Sequence, residues 1–120
     1  MPSSAWAGRP SPAVYGRRAE RLAAWWLWLH GFRVRRNVHV GGRQVDLVGR
    51  RGRLLVVCEV KARRRFEHPL EGIGAQQRRR LREAAEMLAE RDPGVQRVRM
   101  DVIGVCGWRP RLYPGVLDWD

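Results

Sequence analysis

Apolar positions along the chain fall into two helical stretches separated by strand-like ones. Tyr15, Ala19, Leu22, Trp26 and Leu29 recur at three- and four-residue spacing, the period of an amphipathic helix. Ser11-Pro12 supplies an N-cap and a first-turn proline, and Gly31 a stop. Trp25 and Trp28 widen the apolar stripe and are expected to pack on a sheet rather than on a membrane. Phe32 to Val40 reads as an outer strand, and Gly41-Gly42 as a hairpin turn. Arg43 to Gly49 follows, with Val45 and Leu47 expected on one face and Gln44, Asp46 and Val48 on the other. After Arg50-Arg51-Gly52-Arg53 comes the most apolar strand, Leu54 to Cys58, which runs into Glu59-Val60-Lys61 and exits through Arg63, Arg64 and Arg65. Short loops make these three strands an antiparallel meander.

Phe66 to Gly74 reads as a loop. A second helix spans about Ala75 to Arg91, with Leu81, Ala84, Ala85 and Leu88 as its buried stripe and Asp92-Pro93-Gly94 as its stop. Gln96 to Val105 is a further strand, in which Asp101 most simply pairs with a neighbouring arginine. The tail with Trp108, Tyr113, Pro114 and Trp119 carries no readable element. The order is therefore α-β-β-β-α-β. Residues 1–12 are expected to form a flexible lead-in, and residues 13–120 a single domain.

Charge changes this picture most. A formal net charge of +12 on 120 residues points to an anionic partner, most often nucleic acid. The two cysteines, Cys58 and Cys106, lie inside apolar runs and read as buried hydrophobes, so a disulfide or structural zinc is not expected. No stretch approaches the length of a membrane span and no secretory signal is visible, so a cytoplasmic location and no membrane partner are expected.

Among 24 basic residues, every one but Lys61 is arginine. A compact ammonium kept two positions after Glu59 shares its strand face, and Asp46 on the adjacent strand can lie on that face as well. An aspartate amid Val and Leu is costly unless it is paired or metal-bound. A buried ion pair with an arginine is the plain alternative to a shared site. Asp46 and Glu59 suit Mg2+ (or Mn2+) coordination, which polarises a phosphoryl oxygen, while Lys61 orients the attacking water or neutralises transition-state charge. Glu20, the sole acid before Val45, lies on the flank of the first helix. Spacing alone leaves open an ion pair with Arg17 or Arg21, or a functional role. Gln77 falls on the inward face near the start of the second helix, with Arg78, Arg79 and Arg82 flanking it. Those arginines oppose the helix dipole unless an anion sits there, which favours phosphate contact over a merely solvated face, and with Gln77, Arg63, Arg64 and Arg65 they are the expected nucleic-acid-binding residues.

The succession of Gly16 to Glu20, Arg36-Asn37, Val45 to Val48 and Val57 to Arg63 resembles the YraN-like family of bacterial proteins. Arg80-Leu81, Ala84-Ala85 and Arg99 to Val102 extend the match, which covers about residues 15 to 105. More distantly the chain is similar to archaeal Holliday-junction resolvases and other nucleases with the PD-(D/E)xK signature. The resemblance implies an α/β, restriction-endonuclease-like core, with a mixed central β-sheet flanked by α-helices. It implies that Asp46, Glu59 and Lys61 occupy the signature positions, and that Glu20, the helical acid near the metal, joins them as a catalytic residue and joins Asp46 and Glu59 as a metal ligand. The expected activity is Mg-dependent hydrolysis of DNA phosphodiester bonds, on branched or single-stranded DNA. The alternatives are a nucleic-acid-binding protein of the same fold that does not cut, and an RNA- or ribosome-associated factor. A homodimer is expected by fold analogy if junctions are the substrate. Two positions depart from the family pattern. Gln44 stands where a strand carboxylate is usual, and Gln77 where a lysine is usual.

Overall fold

The computed structural model describes residues 12–65 and 68–118, with side chains from residue 16 onward. Residues 1–11 of the expected lead-in, including the Ser11 cap, lie outside the described residues, as do the Tyr15 side chain, Phe66, Glu67 and Trp119, while Pro12 already opens the first helix. Helix α1 (Pro12–Leu29) is followed by strands β1 (Arg33–Val40), β2 (Arg43–Arg51) and β3 (Leu54–Arg63). Helix α2 (Ala75–Glu90) then leads to β4 (Arg97–Cys106) and β5 (Arg109–Tyr113). The strands form one mixed sheet in sequence order. Neighbours are antiparallel except β3 and β4, which run parallel and are joined across the sheet by α2. The strand β5 extends the expected order. Its Pro110 pairs with Val105 at the sheet edge, a position where a missing N–H is tolerated.

The sheet is covered on both faces. Ala19, Ala23 and Leu27 of α1 pack with Phe32, Leu47, Val56, Cys58, Ile103 and Val105. On the other face Leu81, Ala84 and Ala85 of α2 pack with Leu55, Val57, Met100 and Val102, and Leu117 of the tail is buried among them. β3 is apolar on both faces for this reason. Arg51 reaches across to donate to the His30 carbonyl at 2.9 Å, capping the end of α1, which carries no basic residue in its last turn. Among the described residues, no helix is long and apolar enough to cross a membrane.

Two expectations need correction. Trp25 and Trp28 are not core residues: they are 56% and 64% exposed, and only Trp26 of the three packs against the sheet. Nor do Val45 and Leu47 share a face. Val48 packs with α2 and Leu47 with α1, as alternation requires, but Val45 again packs with α2. On β1, likewise, Val34 packs on the α1 side, whereas Val38 and Val40 pack on the α2 side.

Both switches fall at one level of the sheet. The β1–β2 pairing passes from Arg36–Leu47 to Val38–Val45, so Asn37 and Asp46 stand opposite each other without pairing. Asn37 is the one non-glycine among the described residues with positive φ, at 51°. Left-handed backbone there reverses the alternation and turns the hairpin over. Its tip, Gly41-Gly42, has φ of 56° and 75°, as a two-residue hairpin turn demands. A side chain on Gly41 would strike Met87 of α2, with a Cβ placed 2.5 Å from Sδ. The tip is thus laid against α2 rather than against the face that its roots cover.

Candidate metal centre and nucleic-acid cleft

The site sits where the sheet comes apart. Pairing between β2 and β3 runs from Arg51–Leu54 to Leu47–Cys58 and stops, while β3 continues beside β4 as far as Arg63–Cys106. Beyond Cys58 the β3 backbone has lost its β2 partner, and Asp46 takes its place: Oδ2 accepts from the Val60 N–H at 2.8 Å. A backbone donor that would otherwise be orphaned fixes this carboxylate. Glu59 projects from β3 toward α2, where Gln77 Nε2 donates to Oε1 at 2.8 Å. Lys61 lies on the same side of β3, its Nζ 3.4 Å from that oxygen.

Asp46 and Glu59 meet directly, through a hydrogen bond between their carboxyl groups. Burial, then the Asp46 charge, pushes Glu59 up to about 7, with Lys61 opposing. Asp46 is also raised, chiefly by burial, against the pull of the Val60 N–H and Lys61. Below about pH 7 the pair therefore keeps a proton that ordinary carboxyl groups would have lost.

Glu20 enters from α1, on the opposite face of the sheet. Burial and repulsion from Asp46 raise its pKa, while Arg36 and a hydrogen bond from the Asn37 side chain oppose the rise. One of its oxygens, Oε1, is buried without a hydrogen-bond partner. The hairpin's reversal is what lets an acid from α1 and an acid on the α2 side both reach Asp46. Asn37 ties this corner together, since its Oδ1 also accepts from Gln44 Nε2 at 3.4 Å.

A cleft of about 1020 Å³ opens over the site, lined by Gln44, Asp46, Glu59, Gln77, Arg79 and Arg80 among others. Arg43 and Glu83 form an ion pair at its wall. The arginines expected to contact phosphate do not act as one group. Arg79 lines the cleft and also borders a depression of about 270 Å³ with Arg78 and Arg82. Arg78 has a buried Nε with no hydrogen-bond partner. Arg63 donates to the Glu71 carbonyl, and Arg64 and Arg65 stand exposed past the end of β3. Arg36, Asn37 and Arg80 belong to the stretches that carry the family resemblance, but residue type alone assigns them no role. For Asn37 a signal existed: asparagine inside a β-rich run is the residue that takes left-handed backbone most readily after glycine.

Whether these residues fit a divalent ion is a question of donors. Among the described residues, no three His, Cys, Asp or Glu side chains gather as a ready-made cage. Magnesium needs less, since one or two carboxylates with water complete its shell. Asp46 and Glu59 supply oxygens that repel each other until a cation or a proton intervenes. The orphan Oε1 of Glu20 is an acceptor with nothing to accept. The donor set fits.

The family model described as "Uncharacterised protein family UPF0102" matches residues 19–105, a span that holds Glu20, Asp46, Glu59, Lys61 and Gln77. A UPF0102 protein of Rhizorhabdus wittichii is 46% identical over 105 residues, covering 82% of this chain and 85% of its own. One from Sphingopyxis alaskensis is 50% identical over 86 residues, covering 69% and 72%. Among solved structures, Archaeoglobus fulgidus Hjc, a Holliday junction resolvase from an archaeal hyperthermophile, aligns with a TM-score of 0.55 at 25% identity, over 82% of this chain and 71% of that one.

Proposed function

This chain belongs to the UPF0102 family, and from that premise we propose that it is a divalent-metal-dependent nuclease hydrolysing DNA phosphodiester bonds, with branched or single-stranded DNA as substrate. The resolvase-like fold suggests a nuclease. One observation carries the finer reading. In a protein with 24 basic residues, Asp46 and Glu59 are partly buried against each other, and among the described residues the one cation within ion-pair distance of either is the sole lysine. A pair kept for stability alone would be given a guanidinium, as Asp101 is given Arg99.

When bound, a magnesium or manganese ion would supply Lewis-acid polarisation of the phosphate and lower the pKa of a water. Asp46 and Glu59 would hold it, both as carboxylates. Glu20 Oε1 is left to accept from a water at the same place. Lys61 Nζ, anchored on Glu59, orients the attacking water and offsets charge as it builds on the phosphate oxygens. Gln77 keeps Glu59 in position by donating to Oε1. Arg79 and Arg80 draw the backbone of the substrate into the cleft.

The test uses fluorescent single strands, duplex, fork and four-way junction, with Mg2+, with Mn2+ and with EDTA. Cleavage of at least one substrate is expected with metal and none with EDTA. Lys61→Ala should slow it by roughly 10²–10⁴-fold and Asp46→Asn should abolish it. Cleavage that persists in both variants would remove the site assignment. Tight binding without cleavage on every substrate would favour the second reading, a binding protein of this fold. That reading draws on the amides Gln44 and Gln77 at the cleft.

A further inference from the structure

The outward face of α1 remains unassigned. Its described residues in the second and later turns put Arg17, Arg21, Trp25 and Trp28 on a single stripe at helical spacing. All four are exposed, the two indoles at 56% and 64%. A third exposed indole lies against the same helix from another element. Trp108, in the turn between β4 and β5, is 67% exposed, and Arg18 of α1 lies over one face of its ring, 4.6 Å from the centroid. The guanidinium pins Trp108 beside the helix and leaves its other face open.

Large exposed aromatics of this kind mark an interface. Charge decides between occupants. The stripe carries arginines and no acid, because the one acid of α1, Glu20, turns inward to the metal site. A second copy would bring a net charge of +12 against the same sign. A polyanion with flat apolar faces meets both requirements, since arginines take phosphates and indoles take bases. Duplex DNA hides its bases in the stack, whereas unpaired DNA offers them. The stripe from Arg17 to Trp28 is about 16 Å long, and Glu20 adjoins its first turn.

We infer that the outer face of α1, with Trp25, Trp28 and Trp108, is a stacking platform for unpaired DNA bases next to the metal site. The inference deepens the nuclease reading and rests on it for the choice of DNA, but binding in EDTA needs no cleavage, so the two fail separately. Full-length protein is titrated into a fluorescein-labelled oligothymidylate and into a duplex of equal length, in EDTA, and followed by anisotropy. The Trp25→Ala/Trp28→Ala double variant should bind the single strand at least about tenfold more weakly, while its affinity for duplex stays within about twofold. Trp25→Phe/Trp28→Phe should keep most of the affinity, because a smaller ring still stacks. Trp108→Ala should show a smaller loss of the same selectivity. Unchanged single-strand binding in the double alanine variant overturns the platform, whatever becomes of cleavage. Light scattering without DNA tests the other occupant. A wild-type dimer that the double variant dissolves would give this face to a second copy and overturn the inference equally.

Discussion

Two acidic sites, one buried and one half-buried, lie on the same sheet and are treated in opposite ways. Asp101 on β4 is wholly inaccessible and fully satisfied. It accepts from Arg99 Nε at 2.9 Å and Nη2 at 2.8 Å, and from the Gly115 N–H at 2.7 Å, which ties the tail to the sheet. Across the sheet, Asp46 and Glu59 meet beside one lysine, and Glu20, which feels the Asp46 charge, keeps an oxygen that has no hydrogen-bond partner. Each arrangement follows from a local backbone. β4 is paired along its length by β3, so the Asp101 side chain is free to serve the tail. Asp46 stands at a level where neither neighbouring strand pairs with it. A carboxylate given its full complement is a structural part, whereas a cluster left short of partners stores repulsion that a cation can relieve.

The comparison breaks if the two sites respond alike to loss of charge. Asp101→Asn removes the anion from a buried pair and should cost about 3 kcal/mol. Asp46→Asn should cost less than about 1 kcal/mol or stabilise, because an amide oxygen can still accept from Val60. Urea unfolding in EDTA checks both, and equal losses would erase the difference between the two sites.

Acidity sharpens it. Glu59 is raised from 4.5 to about 7, so the folded state holds its proton more tightly than the unfolded chain does. That contribution is complete below about pH 4.5 and is lost as pH rises through about 7. Metal-free Glu59→Gln, neutral throughout, should therefore be more stable than the parent at pH 8.5 by on the order of 2 kcal/mol. At pH 5 the two should nearly coincide. A parent that gains on the variant as pH rises would show that the pair is not under mutual repulsion.

The smallest effect is at Asn37, where backbone and amide can be separated. Asn37→Ala should lose about 1 kcal/mol because alanine resists positive φ, and Asn37→Gly should lose little. Both delete the side chain that donates to Glu20 and accepts from Gln44. Cleavage should fall similarly in the two while the thermal midpoint falls only in the alanine variant. Activity that tracks the midpoint would make Asn37 a folding residue and nothing more.

Much of this was legible in the sequence. The apolar run of Leu54 to Cys58, the helical stripe of Leu81, Ala84 and Ala85, and the glycine turn fixed β3, α2 and the hairpin by periodicity alone. The unique lysine drew attention to the strand that carries Glu59, and Asp101 does pair with a neighbouring arginine. What stayed hidden has physical causes. Alternation cannot be carried through a residue at positive φ, so every face assigned beyond Asn37 from the strand root comes out inverted. An edge strand needs no apolar face, which concealed β5 behind Pro110. Tryptophan spacing reports periodicity and not direction. Trp25 and Trp28 extend the stripe of Trp26 but turn outward from it, because the narrow face against the sheet is filled by Ala19, Ala23 and Leu27.

The reversal at Asn37 and Asp46 also divides one hairpin between two cooperative units. The strand roots, with Leu47 and Phe32, are buried against α1, while Val38, Val40 and Val45 at the tip are buried against α2. A hairpin ordinarily frays from its ends inward as a single piece. This one is clamped at both ends by different helices, so its unpaired middle is the place expected to open first. That middle is where Asp46 sits, and the carboxylates can rearrange around an arriving ion without either helix leaving the sheet.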